Sequence, residues 1–240
     1  MLAGILLSIA LPIAASGAVT VLQTAVFQDD NVGGGVSNVS LNFASPVSSN
    51  SVFIAGVYLD AAGGQAVSGN ATFGGFSSSA YFNDDRVYTY VFSNSSIGSG
   101  ASFDFSNIGG NPGIGVIIYE VGGADFGSLN AVTASDTIIT TDIDELVISF
   151  ASRNSNAAMT LSGSSIFSTR DEFTTNMKGG GSIASASTNA STPGSQDISW
   201  VGSSEVGRVA FSLQEAIPEP SAVALLGLGA MGFMLRRRRH

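Results

Sequence analysis

Short runs of β-branched and aromatic residues, separated by Gly, Asn, Asp and Ser, recur between residues 19 and 216. Such runs, bounded by turn-forming residues, predict strands. The clearest are 51–59 (SVFIAGVYL), 86–92 (RVYTYVF), 113–121 (GIGVIIYEV), 145–150 (ELVISF) and 206–213 (VGRVAFSL). Weaker ones cover 19–27, 38–43, 70–73, 101–105, 131–139 and 197–201. Several alternate strictly: Phe103 and Phe105 share one face, as do Leu146, Ile148 and Phe150, and Val209, Phe211 and Leu213. Alternation places one side of a strand in a core and the other in water, as antiparallel sheets do. The runs 51–59 and 114–121 are nearly continuous in apolar character, which predicts central strands. No stretch between them sustains a helical period, so a parallel βαβ architecture is disfavoured.

About ten such strands over roughly 200 residues fit an all-β antiparallel two-sheet sandwich of jelly-roll type. No fixed-period repeat is evident, which argues against a propeller or a β-helix. The strand order resembles a lectin-like or jelly-roll module of secreted bacterial proteins, carried by the turn Thr72-Phe73-Gly74-Gly75, the strand with Tyr88 and Tyr90, and the segment 119–125 (YEVGGAD). That resemblance implies a fold and transmits no function. The stretch 177–194 (MKGGGSIASASTNASTPG) reads as a flexible loop or edge hairpin within one domain, 19–216.

Composition narrows the chemistry. Only 11% of the 240 residues are charged, against roughly 25% in ordinary soluble proteins, while 37 Ser and 30 Gly fill the difference. With no Cys there is no disulfide, thiolate nucleophile or iron–sulfur ligand. The single histidine is His240, which rules out a Ser-His-Asp triad and a histidine-ligated metal in the β region. Between residues 19 and 216, five basic residues face 17 acidic ones, so the body repels phosphates and binds no nucleic acid.

The two ends read as addresses. Residues 1–18 form an apolar stretch closed by Ser16-Gly17-Ala18, the pattern of a secretory signal peptide cleaved after Ala18. At the other end, Ile217-Pro218-Glu219-Pro220-Ser221 precedes fourteen apolar residues, 222–235, and then Arg236, Arg237, Arg238 and Arg239. As a helix those fourteen reach about 21 Å, short of a hydrocarbon core of roughly 30 Å. The segment can insert by thinning the bilayer or snorkelling its arginines, with the arginines on the cytoplasmic side.

Pro-Glu-Pro, a short apolar helix and a terminal arginine cluster, in that order, resemble the PEP-CTERM sorting signal of exported Gram-negative proteins. The resemblance covers 217–240. It implies export across the inner membrane, transient or stable anchoring by the C-terminus, and recognition by an exosortase-type machinery. Pro218, Glu219 and Pro220 would be the recognition motif and Arg236 to Arg239 the cytoplasmic stop. It further implies a place at the cell surface or in an exopolysaccharide matrix.

Candidate chemistry within the body is sparse. Acidic residues cluster at 29–31, at Asp84 and Asp85, and at Asp142, Asp144 and Glu145, where loop carboxylates could hold a structural calcium ion. None has EF-hand spacing, and Asp and Asn favour turns for local reasons alone. Tyr88, Tyr90 and Trp200 could stack sugar rings if exposed beside polar groups; the alternative is strand packing. A glycosidase needs only two carboxylates, and Glu120, Glu145, Glu172, Glu205 and Glu215 are available, but the tight E-x-D-x-x-E strand pattern is absent. Four N-x-S/T sequons, at Asn38, Asn70, Asn94 and Asn189, are what so Ser- and Asn-rich a chain produces by chance. The expectation is a non-catalytic structural or adhesive protein without a required cofactor, with a carbohydrate-binding module as the alternative and a glycoside hydrolase third.

Overall fold

The computed structural model describes residues 18–29, 38–60, 71–93, 97–105, 113–174, 180–201 and 206–216. The predicted signal peptide before Ala18 and the sorting tail after Ala216 lie outside the described residues, as do Asp30, Asn31 and Glu205. The first half forms β1 (Thr20–Asp29), β2 (Asn38–Ser40), β3 (Val52–Asp60), β4 (Ala71–Phe73), β5 (Phe76–Ser77), β6 (Ala80–Asp84), β7 (Val87–Phe92), β8 (Ser102–Phe105) and β9 (Gly113–Gly122). After a single 3-10 turn, Phe126–Ser128, the second half forms β10 (Asn130–Thr133), β11 (Thr137–Thr140), β12 (Leu146–Arg153), β13 (Thr160–Leu161), β14 (Glu172–Thr174), β15 (Ser182–Asn189), β16 (Gly194–Asp197), β17 (Trp200–Val201) and β18 (Val206–Leu213). All pairings between these strands are antiparallel.

Two five-stranded sheets dominate, ordered β1-β9-β3-β7-β6 and β10-β18-β12-β15-β14. They pack face to face over a central core that holds Ile54, Tyr58, Ile117 and Tyr119 from the first sheet and Ile148, Phe150, Val209 and Phe211 from the second. Each sheet also buries its outer face. The first is covered by the four-stranded sheet β2-β8-β4-β5, over a core rich in phenylalanine; the second by the pairs β11-β16 and β13-β17, over a core containing Trp200 and Phe167. The described residues thus form five sheets and three stacked cores where a two-sheet sandwich was expected. A jelly roll interleaves strands from both halves of a chain between its sheets; here each large sheet draws on one half only.

Burial on both faces explains why 52–59 and 113–121 are nearly continuous in apolar residues: β3 and β9 are the inner strands of a sheet that is itself a middle layer. The stretch expected to be a flexible loop or an edge hairpin contains β15, an inner strand hydrogen-bonded to β12 on one side and β14 on the other. Its sequence, SIASASTN, is a poor strand signal by composition. Its small side chains fit between two crowded cores, with Ile183 on the central one and Ala184 and Ala186 on the outer one. The run 131–139 divides into β10 and β11, and Ala134 between them has a positive φ of 52°.

The strand orders of the two large sheets are the same path traced twice. β1, β9, β3, β7 and β6 correspond in sequence to β10, β18, β12, β15 and β14. Register supports residue equivalence: Val52 lies opposite Val121 as Leu146 lies opposite Leu213, and Phe53 opposite Phe92 as Val147 opposite Thr188. Side-chain direction agrees, since Val52, Ile54, Ile117, Tyr119 and Val121 face the central core, as do their counterparts Leu146, Ile148, Val209, Phe211 and Leu213. Contacts across that core are reciprocal: β1 meets β14 as β10 meets β6, and β9 meets β15 as β18 meets β7. This is the isologous arrangement of a two-fold dimer, built within one chain.

Candidate functional site

Strand β7 runs between β3 and β6, and its two faces pack into the outer and central cores, so all six of its residues are buried. Tyr88 is 7% exposed and Tyr90 is fully buried, each directed into the outer core of the first sheet. The Tyr90 ring lies 5.2 Å from that of Tyr81 and packs edge-on at 5.7 Å against Phe103. Burial first, then the neighbouring tyrosines, raises the Tyr90 hydroxyl far above its ordinary range; burial does the same, to a smaller extent, for Tyr88. Trp200 is 6% exposed, in the outer core of the second sheet, where its Nε1 donates to Ser149 Oγ at 2.9 Å. The three rings weighed as a possible sugar platform therefore sit in two cores, on the outer sides of the two large sheets, and all three are buried. Of the two readings the sequence left open for this strand, a sugar platform and strand packing, the burial of all six residues of β7 fits the second.

The calcium candidates are turn residues. Asp84 Oδ2 accepts from the Arg208 backbone N–H at 2.7 Å, tying the β6–β7 turn to β18. Asp85, at the tip of that turn, has a positive φ of 47°. At the opposite end of β12, Asp142 Oδ1 accepts from the Ile143 N–H at 2.8 Å and Asp144 has a φ of 62°. Among the described residues no three Asp, Glu, His or Cys side chains come together as metal ligands.

The buried glutamates serve loops. Glu120 accepts from Gln23 Nε2 at 2.5 Å and from the Ser48 N–H and Ser51 Oγ, both at 2.7 Å, latching the segment before β3 onto the first sheet. Glu145 Oε2 accepts from the N–H groups of Thr141 at 2.8 Å and Asp142 at 3.3 Å. Glu172, on the edge strand β14, is raised by burial and then by the adjacent Asp171. A different carboxylate lies at a junction between the sheets: the Tyr119 hydroxyl is 2.6 Å from Ser185 Oγ and 3.0 Å from Asp171 Oδ2.

What the fold does build, and sequence reading missed, is a common exit for both chain ends. Thr20 opens β1 opposite Gly122, the last residue of β9. The carbonyl of Val19 accepts from Asn189 Nδ2 at 2.9 Å. Beyond β18, the Asp125 N–H donates to Gln214 O at 2.9 Å, Ala124 bridges Glu215, and the Ala216 N–H donates to Gly123 O at 2.8 Å. The Gln214 N–H donates to Ser128 Oγ at 2.9 Å, and Asp125 caps the same 3-10 turn through the Gly127 N–H at 2.8 Å. Residues 122–128 thus clasp the last three described residues beside the start of β1. The only sequence signal for the clasp was the turn-forming run Gly122-Gly123-Ala124-Asp125.

Among the described residues no helix is long and apolar enough to cross a membrane. No curated protein and no solved structure matches the chain. Residues 216–239 match the PEP-CTERM protein-sorting motif, about a tenth of the sequence. The chain therefore carries a PEP-CTERM protein-sorting motif of the kind borne by exported proteins, and that motif begins at Ala216, the residue on which the clasp closes.

Proposed function

We propose that this is an exported, surface-sorted, non-catalytic protein with a structural or adhesive role in the cell envelope or exopolysaccharide matrix. Its working part is a single β-sandwich body spanning 19–216, with 1–18 removed as a signal peptide and 217–240 serving as the sorting and anchoring segment. The observation that carries this reading is the common exit. Both segments directed at the membrane leave the body at one pole, beside Gly122 and Gly123, so the body can stand on a bilayer with neither end crossing its surface. The leash between Ala216 and the apolar segment, residues 217–221, spans at most about 18 Å when fully extended. An exosortase-type partner acting near Pro218 to Pro220 meets the clasp at close quarters. Burial of Tyr88, Tyr90 and Trp200 and the engagement of Glu120 and Glu145 by loop donors favour this role over a lectin or a hydrolase.

The intact mass of the protein recovered from the surface or medium of its host tests the reading. A species beginning near Val19 and ending between Pro218 and Ser221 is expected. If all of the protein stays in the membrane fraction with the mass of 222–240 retained, sorting and release fail and the tail is a tether only.

A further inference from the structure

We propose that Thr141 and Gln214 form a cross-link by themselves: a side-chain ester that welds the chain just before the sorting motif to the loop between β11 and β12. The Gln214 carboxamide donates through Nε2 to Thr141 Oγ1. Thr141 Oγ1 in turn donates to Glu145 Oε2 at 3.5 Å. The hydroxyl therefore turns its proton toward a carboxylate and a lone pair toward a carboxamide. Base, nucleophile and acyl group stand in the order that acyl transfer requires.

Each of the three groups is held in place. Glu145 is 3% exposed, and its Oε2 accepts from the N–H groups of Thr141 at 2.8 Å and Asp142 at 3.3 Å, so the carboxylate stays under the hydroxyl. The loop around it is tied to the end of β15: the Ala190 N–H donates to Glu145 O at 2.9 Å and the Asp144 N–H to Ala190 O at 2.8 Å. Gln214 is fixed through its main chain, its N–H by Ser128 Oγ and its carbonyl by the Asp125 N–H, both at 2.9 Å. The fold thus brings together two side chains 73 residues apart in sequence. Reactive groups held in this way meet at effective molarities of about 10⁵–10⁸ M when fully aligned.

In the reaction, a small turn about the Gln214 Cβ–Cγ bond brings Cδ against Thr141 Oγ1. The hydroxyl proton passes to Glu145 as the Oγ1–Cδ bond forms. The Cδ–Nε2 bond then breaks, and the nitrogen takes that proton and leaves as ammonia. Glu145 ends as it began, charge is conserved, and no oxidant or co-reactant enters. The reaction runs once per chain, so a slow step suffices. Thr141 is exposed and Gln214 half-buried, so ammonia escapes to water and its dilution draws the exchange forward. With no Cys in the chain, a disulfide cannot supply this tie. The inference rests on this geometry and is independent of the export reading.

Peptide mapping tests it. The full chain, purified in detergent and kept at neutral pH, is digested and its peptides weighed. The peptide carrying Gln214 should appear joined to the one carrying Thr141, lighter than their sum by one ammonia, and hydroxylamine should part them. Thr141→Val keeps the shape of the side chain without its hydroxyl and should give two separate peptides. Thr141→Ser restores the hydroxyl and should give the joined species. Glu145→Gln should slow the joining by roughly 10²-fold or more, the contribution of a positioned base. Two separate peptides of full mass from the unaltered chain, at every time of incubation, overturn the cross-link. Joining in Thr141→Val overturns the assignment to that hydroxyl, and joining at an unchanged rate in Glu145→Gln overturns the part given to the carboxylate.

Discussion

Gly56 and Phe150 occupy equivalent places in the two halves, and they touch: a Cβ on Gly56 would stand 2.2 Å from Phe150 Cδ1. A residue next to a two-fold axis meets its own counterpart, and two phenylalanines cannot share one volume at interior packing density. One position is therefore a ring and the other has no side chain. Gly56→Ala should destabilise the fold by about 1–3 kcal/mol through overpacking, read as a lower urea midpoint. Phe150→Leu in the same chain should recover part of that loss, giving a non-additive double-mutant cycle; additive effects would separate the two sites. At this scale the sequence was partly legible. Alternation placed Leu146, Ile148 and Phe150 on one buried face, but nothing local could reveal that Gly56 is small because Phe150 is large.

Among the elements, β9 carries a cross-sheet pin in Tyr119, whose hydroxyl reaches Ser185 on β15 and Asp171 beside β14. Burial first, then the Asp171 charge, raises that hydroxyl far above its ordinary value of 10.0, as burial also raises Tyr90. A group whose affinity for its proton is greater in the folded state contributes full stability below its unfolded value and loses it as the pH rises beyond. Alkali above about pH 10 should therefore unfold the protein. Tyr90 and Tyr119 should ionise, seen as absorbance at 295 nm, only as the β-sheet circular dichroism disappears. Ionisation of all five tyrosines near pH 10 with the fold intact would contradict the burial described. Apolar alternating strands such as β18 were legible to the residue. β15 was not, because Ser and Ala earn their place there from the crowding of two cores, a tertiary demand that overrides propensity.

For the whole molecule, the central core is an interface between two similar halves joined at residue 129. Alone, either half would expose the apolar face containing Ile54 and Tyr119 or that containing Ile148 and Phe211. Co-expressed fragments 18–129 and 130–216 should copurify as a one-to-one complex, and each alone should aggregate. Two fragments that are separately soluble and indifferent to each other would remove the interface. The all-β, antiparallel class and the sorting tail could be read from the sequence directly. The duplication could not: equivalent residues such as Val52 and Leu146, Val87 and Ile183, Val121 and Leu213, and Gln23 and Asn130 are separated by different lengths of chain, so no fixed period survives. Likeness persists where packing demands it, as in Ile117-Ile118-Tyr119 against Val209-Ala210-Phe211.

The position of Ala216 also decides how this body meets mechanical force. A tail held in a membrane while the body is dragged by flow or by a surrounding gel pulls at the end of β18, along the strand. β18 is hydrogen-bonded on both sides, to β12 over its full length and to β10 near its end. Those bonds run across the line of pull, so they resist together, as in a lap joint, and cannot open one after another as in a zipper. The clasp at 122–128 adds a first catch before the strand is reached. An edge strand pulled along the same line would share the load over the bonds of one side only, where β18 shares it over two.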